Sequence, residues 1–243
     1  MKKLLRFLVV LALVSAVIYF VFPQPTQTAI SFVKIKTTSK YSVNDRLEQF
    51  GAAAQARLLP QFEKAGLPFP PKAISLLAFK DSKQVELYAP DAQGAWQRVT
   101  TYPIQAASGN LGPKLKEGDR QVPEGIYSIE LLNPNSLYHV SLRLNYPNAF
   151  DQQMGAADGR NALGSDIMIH GKAASIGCLA MGDSAAEELF ALAAWAGKEN
   201  IKVVIAPTDF RVSGPQVVDA NLPVWAETLY ARLRLELAQY PAS

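Results

Sequence analysis

Residues 167–183 read IMIHGKAASIGCLAMGD. Ile167 and Ile169 alternate with Met168 and His170 as in a short strand, and Gly171 ends the run. A brief loop of small residues follows, closing on Gly177 immediately before Cys178. Such a loop lets the backbone turn sharply, so the thiol returns beside the histidine at the strand end. Cys178 is the only cysteine in the chain and His170 is one of two histidines. A lone free cysteine is more often a small buried apolar residue. Here the flanking glycines favour the other role, a thiolate nucleophile with a neighbouring imidazole that lowers the thiol pKa and with the Gly177 and Cys178 N–H groups facing a developing oxyanion.

Outward from this stretch, the texture on the N-terminal side is β-type. AISLLAFK, QVELYAP, WQRVTTYPI, GIYSIELL and YHVSLRLNY read as strands joined by DSK, DAQG and NPNS, which predicts a mostly antiparallel sheet. On the C-terminal side, Ser184 and Glu187 form a capping-box pattern opening the helix SAAEELFALAAWAG, closed by Gly197, and IKVVIAP (201–207) is a further strand. Leu222, Trp225, Leu229 and Leu233 then share one face of a closing helix in the tail 212–243. Upstream, Leu47, Phe50, Ala54 and Leu58 recur at helical spacing behind a Ser42 cap, with Pro60 as kink or stop. The expected organisation is a linker and leading helix over 23–72, a domain over 73–211 and the C-terminal helix packing on it. The expected class is mainly β with flanking helices.

The N-terminus, MKKLLRFLVVLALVSAVIYFVFPQPTQT, is an export or anchoring signal over 1–22. Its charge-free run from Phe7 to Phe22 is 16 residues long, between a signal-peptide core and a span of ~17 residues or more. The apolar run continues past the small residues Val14, Ser15 and Ala16, which favours an uncleaved membrane anchor. Positive charge before the run places residues 23–243 outside the cytoplasm. Outside it, a single cysteine has no internal disulfide partner. The formal net charge is +3, and three of the positive charges are Lys2, Lys3 and Arg6, so no basic surface for nucleic acid is expected. His170, His139 and Cys178 lack metal-ligand spacing, so no metal is expected. No phosphate-cradling glycine loop precedes a helix, so no cofactor is expected.

The ordered set His170, Gly171, Ser175, Gly177, Cys178 resembles the active-site signature of the L,D-transpeptidase catalytic domain, YkuD type. The following LAM and the blocks GPKLKEGDRQVPEGIYSI, NPNSLYHVSLRLNYPNAFD and SDIMIHG are similar to its YafK-like branch, and the resemblance covers roughly residues 74–210. It implies a β-sandwich or barrel core with Cys178 as nucleophile, His170 as base, the Gly171 carbonyl orienting the imidazole, and Ser175 shaping the loop. Many members carry an arginine two positions after the cysteine, where this chain has Ala180. Arg143 or Lys172 could make the substrate-carboxylate contact instead; for each the alternative is a solvated surface charge. His139 either lines the cleft or ends a hydrogen-bonded strand pair.

The resemblance also implies a substrate, the peptidoglycan stem peptide, held as a Cys178 thioester on the periplasmic side of a bacterial inner membrane. An amine acceptor would give a cross-link or an attached protein, such as a wall-attached lipoprotein. Water would make the same site an amidase or carboxypeptidase that detaches one. A non-catalytic wall-binding module is a further alternative, disfavoured by the intact His170, Gly177 and Cys178.

Overall fold

Ile74–Phe79 (β1) is buried at all six positions, because both of its neighbours in the sheet are strands and both of its faces are covered. In the computed structural model, which describes residues 40–212 and 222–242, β1 pairs antiparallel with Gln84–Pro90 (β2) and parallel with Ile201–Ala206 (β8). The remaining strands are Trp96–Pro103 (β3), Gly125–Asn133 (β4), Ser141–Leu144 (β5), Met168–His170 (β6) and Leu179–Ala180 (β7). They form one eight-stranded sheet in the order β3-β2-β1-β8-β4-β5-β6-β7, curled into a half-barrel. The expectation of a mainly β fold with flanking helices is met. Two of the neighbouring pairs, β1 with β8 and β6 with β7, are parallel.

The period-two alternation of the central strands sorts their side chains between two cores. Leu76, Ala78, Val85, Leu87, Val203 and Ile205 pack with Phe50, Leu58 and Phe62 of the leading helix α1 (43–64) and with Leu189 and Phe190 of α3 (Asp183–Ala196). Leu77, Phe79, Tyr88, Val204 and Ala206 face the other way, under Leu229, Tyr230, Leu233 and Leu237 of α4 (Ala226–Leu237). Each such leucine or phenylalanine contributes roughly 1.5–3 kcal/mol by leaving water.

Helix α1 is continuous through Val43–Arg46, a π-helical stretch Leu47–Gly51, and Ala52–Lys64. Ser42 caps it as expected, its Oγ accepting from Asp45 N at 3.1 Å while the Asp45 carboxylate accepts from Ser42 N at 2.6 Å. Pro60 does not stop it. The last turn carries fully buried Phe62 into the core, which offsets the ~3 kcal/mol that proline costs a helix interior. Helix α3 begins one residue before the expected cap: Gly182 holds the N-cap position at φ +77°, and Asp183 opens the helix with its carboxylate on Lys172 N at 2.8 Å. The short helix α2, Ala149–Ala157, has a full capping box between Asn148 and Asp151. The expected anchor and tether of residues 1–39 lie outside the described residues.

Strand β4 turns the sheet. Its first half, Gly125–Ser128, pairs with β8, and its second half pairs with β5 after an irregularity between Ile129 and Leu131. Such a bulge bends the strand and increases its twist. The β5-β6-β7 end is thereby carried away from the central sheet, and that end bears His170 and Cys178.

Candidate active site

Within the β5-β6-β7 end, Leu142 pairs with Ile169 and Ile169 with Leu179, and all three are buried in the core. The adjacent positions therefore share the opposite face. Ser141, His170 and Ala180 form one cross-strand row, since Ser141 pairs with His170 and His170 with Ala180. Arg143 pairs with Met168, and continuing the β6–β7 register one step brings Cys178 beside Met168. Cys178 and His170 thus fall on one face, one row and one strand apart, because β6 and β7 run parallel.

His170 is 2% exposed, and its Nδ1 lies 2.6 Å from the Gly171 carbonyl oxygen. A carbonyl only accepts, so Nδ1 carries the proton and Nε2 keeps the lone pair. Gly171 is required there: a Cβ would fall 2.8 Å from the Tyr138 carbonyl oxygen. The Tyr138 ring stacks on the imidazole with centroids 4.5 Å apart and planes tilted by 33°. Burial holds the His170 pKa below its ordinary value, opposed by the bond to Gly171.

Cys178 sits where the chain re-enters the sheet after Gly177, whose φ of +94° suits glycine. Its Sγ is directed at the Asp166 carbonyl oxygen, 3.7 Å away, and shares no hydrogen bond with His170. Burial pushes the thiol pKa up, the Met168 backbone pulls it down, the Asp166 charge raises it and Lys114 lowers it. No hydrogen bond joins the imidazole to the thiol, and burial favours the neutral form of each.

The two backbone amides expected to face an oxyanion are engaged. Cys178 N donates to Ser175 Oγ at 3.0 Å, and the same hydroxyl donates to Cys178 O at 2.6 Å. Ser175 therefore closes the loop on itself. Gly177 N donates to Ser108 Oγ at 2.6 Å. Ser108 lies in the segment 104–124, which adds to the sheet edge through Ala106, whose carbonyl accepts from Ala180 N at 3.0 Å. That segment is pinned from below by Glu124, 1% exposed, which accepts from Lys80 Nζ at 2.9 Å, Gly112 N at 2.7 Å and Tyr230 Oη at 3.0 Å. Removing one partner of such a buried pair costs about 3–5 kcal/mol.

The three candidate substrate contacts separate. Arg143 stands in the Cys178 row, with Nη1 3.2 Å from Asp166 Oδ1 and Nε 3.4 Å from Glu130 Oε2; Nε is buried and makes no hydrogen bond. Lys172, at φ +58°, donates from Nζ to Leu137 O at 2.8 Å. His139, at φ +77°, is drawn elsewhere: its Nε2 is 2.9 Å from Glu187 Oε1 on α3 and its ring packs on Phe50 of α1. The structure favours the scaffold alternative for His139 over the cleft-lining one. Ala180 is fully buried against the segment carrying Gln105 and Ala106.

Three contributors carried no clear signal in the sequence. Asp166 lies in the block SDIMIHG and Ser108 just before GPKLKEGDRQVPEGIYSI, and neither stood out within its segment. Tyr138 directly precedes His139 in a block already singled out, and only the stacking distance distinguishes it from its neighbours.

The family model of the L,D-transpeptidase catalytic domain, YkuD, matches residues 77–207. YafK of Escherichia coli strain K12 is 35% identical over 149 residues, covering 59% of this chain and 55% of YafK. The chain spans about half the length of the curated relatives it matches. Among solved structures, the helical cell shape determining protein Pgp2 of Campylobacter jejuni is similar at TM-score 0.45 and 22% identity, over 56% of this chain and 48% of Pgp2. Bd1075 of Bdellovibrio bacteriovorus is similar at TM-score 0.41 and 20% identity, over 69% of this chain and 55% of Bd1075.

Proposed function

The chain belongs to the YkuD family of L,D-transpeptidase catalytic domains, and from that premise we propose that it is an extracytoplasmic cysteine acyltransferase acting on peptidoglycan stem peptides. The observation that carries this reading is the shared face of His170 and Cys178, with the His170 tautomer fixed by Gly171 so that Nε2 is free to accept a proton. The apolar run after Lys2, Lys3 and Arg6 supports placing the domain on the outer side of the membrane.

The chemistry follows from the neutral pair. A stem amide carbonyl enters beside Sγ; His170 Nε2 takes the thiol proton as sulfur bonds the carbonyl carbon, whose oxygen becomes the oxyanion. The Gly177 and Cys178 amides stabilise that oxygen once the Ser108 and Ser175 hydroxyls yield them. As the C–N bond breaks, the imidazolium returns its proton to the leaving amine, and the stem remains as a thioester on Cys178. An amine or water then attacks the thioester, His170 taking its proton and the thiol reforming. The first outcome joins stems or attaches a protein, and the second hydrolyses.

Incubating the full chain with peptidoglycan fragments and weighing both protein and products tests this. A stem-sized adduct on the wild type, absent from Cys178→Ala, is expected. Joined stems identify transfer, and shortened or released stems identify hydrolysis. Turnover retained by Cys178→Ala overturns the nucleophile assignment, and neither adduct nor product overturns the acyltransferase.

A further inference from the structure

Tyr138 contacts the imidazole directly and yet belongs to neither the nucleophile loop nor the catalytic strands. Its ring lies against the His170 ring at 4.5 Å, within the range of offset aromatic stacking. It is itself held at several points. Its backbone N donates to Ser136 Oγ at 3.1 Å, and its carbonyl oxygen packs where a Gly171 side chain would stand. Next in the chain, His139 is tied to Glu187 of α3. Lys172, the second residue after His170, bonds the Leu137 carbonyl through Nζ and places that ammonium 6.0 Å from the Tyr138 ring centroid. The segment 136–139 is thus fastened to the loop after the base and to the helix that follows it.

Resting on the reading of His170 as base, we infer that Tyr138 is a positioning residue: its flat face sets the plane of the His170 imidazole and shields it from water, with Lys172 fastening the segment that carries the ring. The bond from Nδ1 to Gly171 O fixes the tautomer and restrains the ring at one edge, while the Tyr138 ring restrains it across a face. A base held in orientation beside the thiol gains rate. The same cover keeps the ring dry, in line with burial as the largest influence on its protonation. The nearby titratable and charged groups are Lys172, whose Nζ lies 6.0 Å from the Tyr138 ring centroid, Asp183, whose carboxylate accepts from Lys172 N, the His139–Glu187 pair, and Cys178 just before the adjacent strand. The role belongs to the ring face rather than the hydroxyl, for which the structure shows no hydrogen bond.

The test reads the His170 imidazole in the full chain by NMR titration, without substrate. With two histidines in the sequence, His139→Gln assigns the signals. In Tyr138→Ala the imidazole is expected to titrate closer to the ordinary 6.5 than in wild type, and its Nδ1 proton to exchange faster. Tyr138→Phe is expected to match wild type in both. With stem peptides, kcat of Tyr138→Ala falls by about 10- to 100-fold with KM nearly unchanged, and the acid limb of its rate profile moves to higher pH. Wild-type titration and exchange in Tyr138→Ala overturn the proposal, as does a Tyr138→Phe variant that shifts equally. If Tyr138→Ala does not fold, Tyr138→Leu keeps apolar volume without a flat face, and its Nδ1 proton must then exchange faster than in wild type. The titration needs no turnover, so a failed acyltransferase reading and a failed Tyr138 role give different results.

Discussion

Replacing Asp151 by asparagine should flatten the dependence of stability on pH. Asp151 closes the capping box of α2, accepting from Asn148 N at 2.9 Å, and lies under Tyr127 Oη at 3.4 Å. Burial raises its pKa to about 6 from 3.8; the Asn148 backbone, the Tyr127 hydroxyl and the Arg160 and Arg232 charges oppose this only in part. The folded chain therefore keeps a proton on this carboxyl over a range where the unfolded chain has released it. Stability falls as pH rises from 3.8 through about 6. A shift of that size amounts to about 3 kcal/mol. Asparagine has the same shape, can still accept from Asn148 N, and does not titrate. Urea unfolding of wild type and Asp151→Asn at intervals from about pH 4 to about pH 7.5 should show the wild type losing about 3 kcal/mol relative to the variant across that range. Parallel profiles for the two proteins would refute the reasoning.

Two further outcomes follow from the site. Alkylation of Cys178 should keep accelerating with pH beyond the ordinary thiol value of 9.0, because burial pushes its pKa up and no imidazolium offsets it; a rate that levels off below neutral pH would instead demonstrate a preformed ion pair. Arg143→Gln should raise KM for stem peptides by about tenfold, as expected when one charge-assisted bond worth about 1.5–3 kcal/mol is lost, with kcat little changed; an unaltered KM would return Arg143 to the status of a surface charge paired with Glu130 and Asp166.

The strands were legible because their composition and turn residues are local properties. ISLLAF reads as an apolar run broken only by Ser75, in keeping with burial on both faces, and Ser75 Oγ is paired with Tyr240 Oη at 2.8 Å. Helix α2 was not among the expected elements: Asn148 and Asp151 have cap spacing, but no long apolar stripe follows them, and the helix buries only one glycine. At α3 the local rule misled. Ser184 and Glu187 have capping-box spacing, but Gly182 can turn at positive φ and Asp183 is needed by Lys172 N, so the helix starts earlier. His139 shows the same competition: alternation in YHVSLRLNY allowed a cleft position, and a carboxylate on α3 drew its ring to the scaffold.

What the sequence determined by itself is the local chemistry: most of the strands and the longer helices, and that one short stretch ends a strand on His170 and returns through glycine to Cys178. Tertiary structure decided what that chemistry faces. The parallel register of β6 and β7 put Cys178 and His170 on one face, and β5 added Arg143 to the thiol's row. Ser108 reached the Gly177 amide from 69 positions away, and Tyr138 came to lie against the imidazole. The physical reason is range. Propensity, capping and alternation act over a few residues, whereas strand register, burial and the protonation state of a buried thiol and imidazole exist only once the sheet has brought distant segments together.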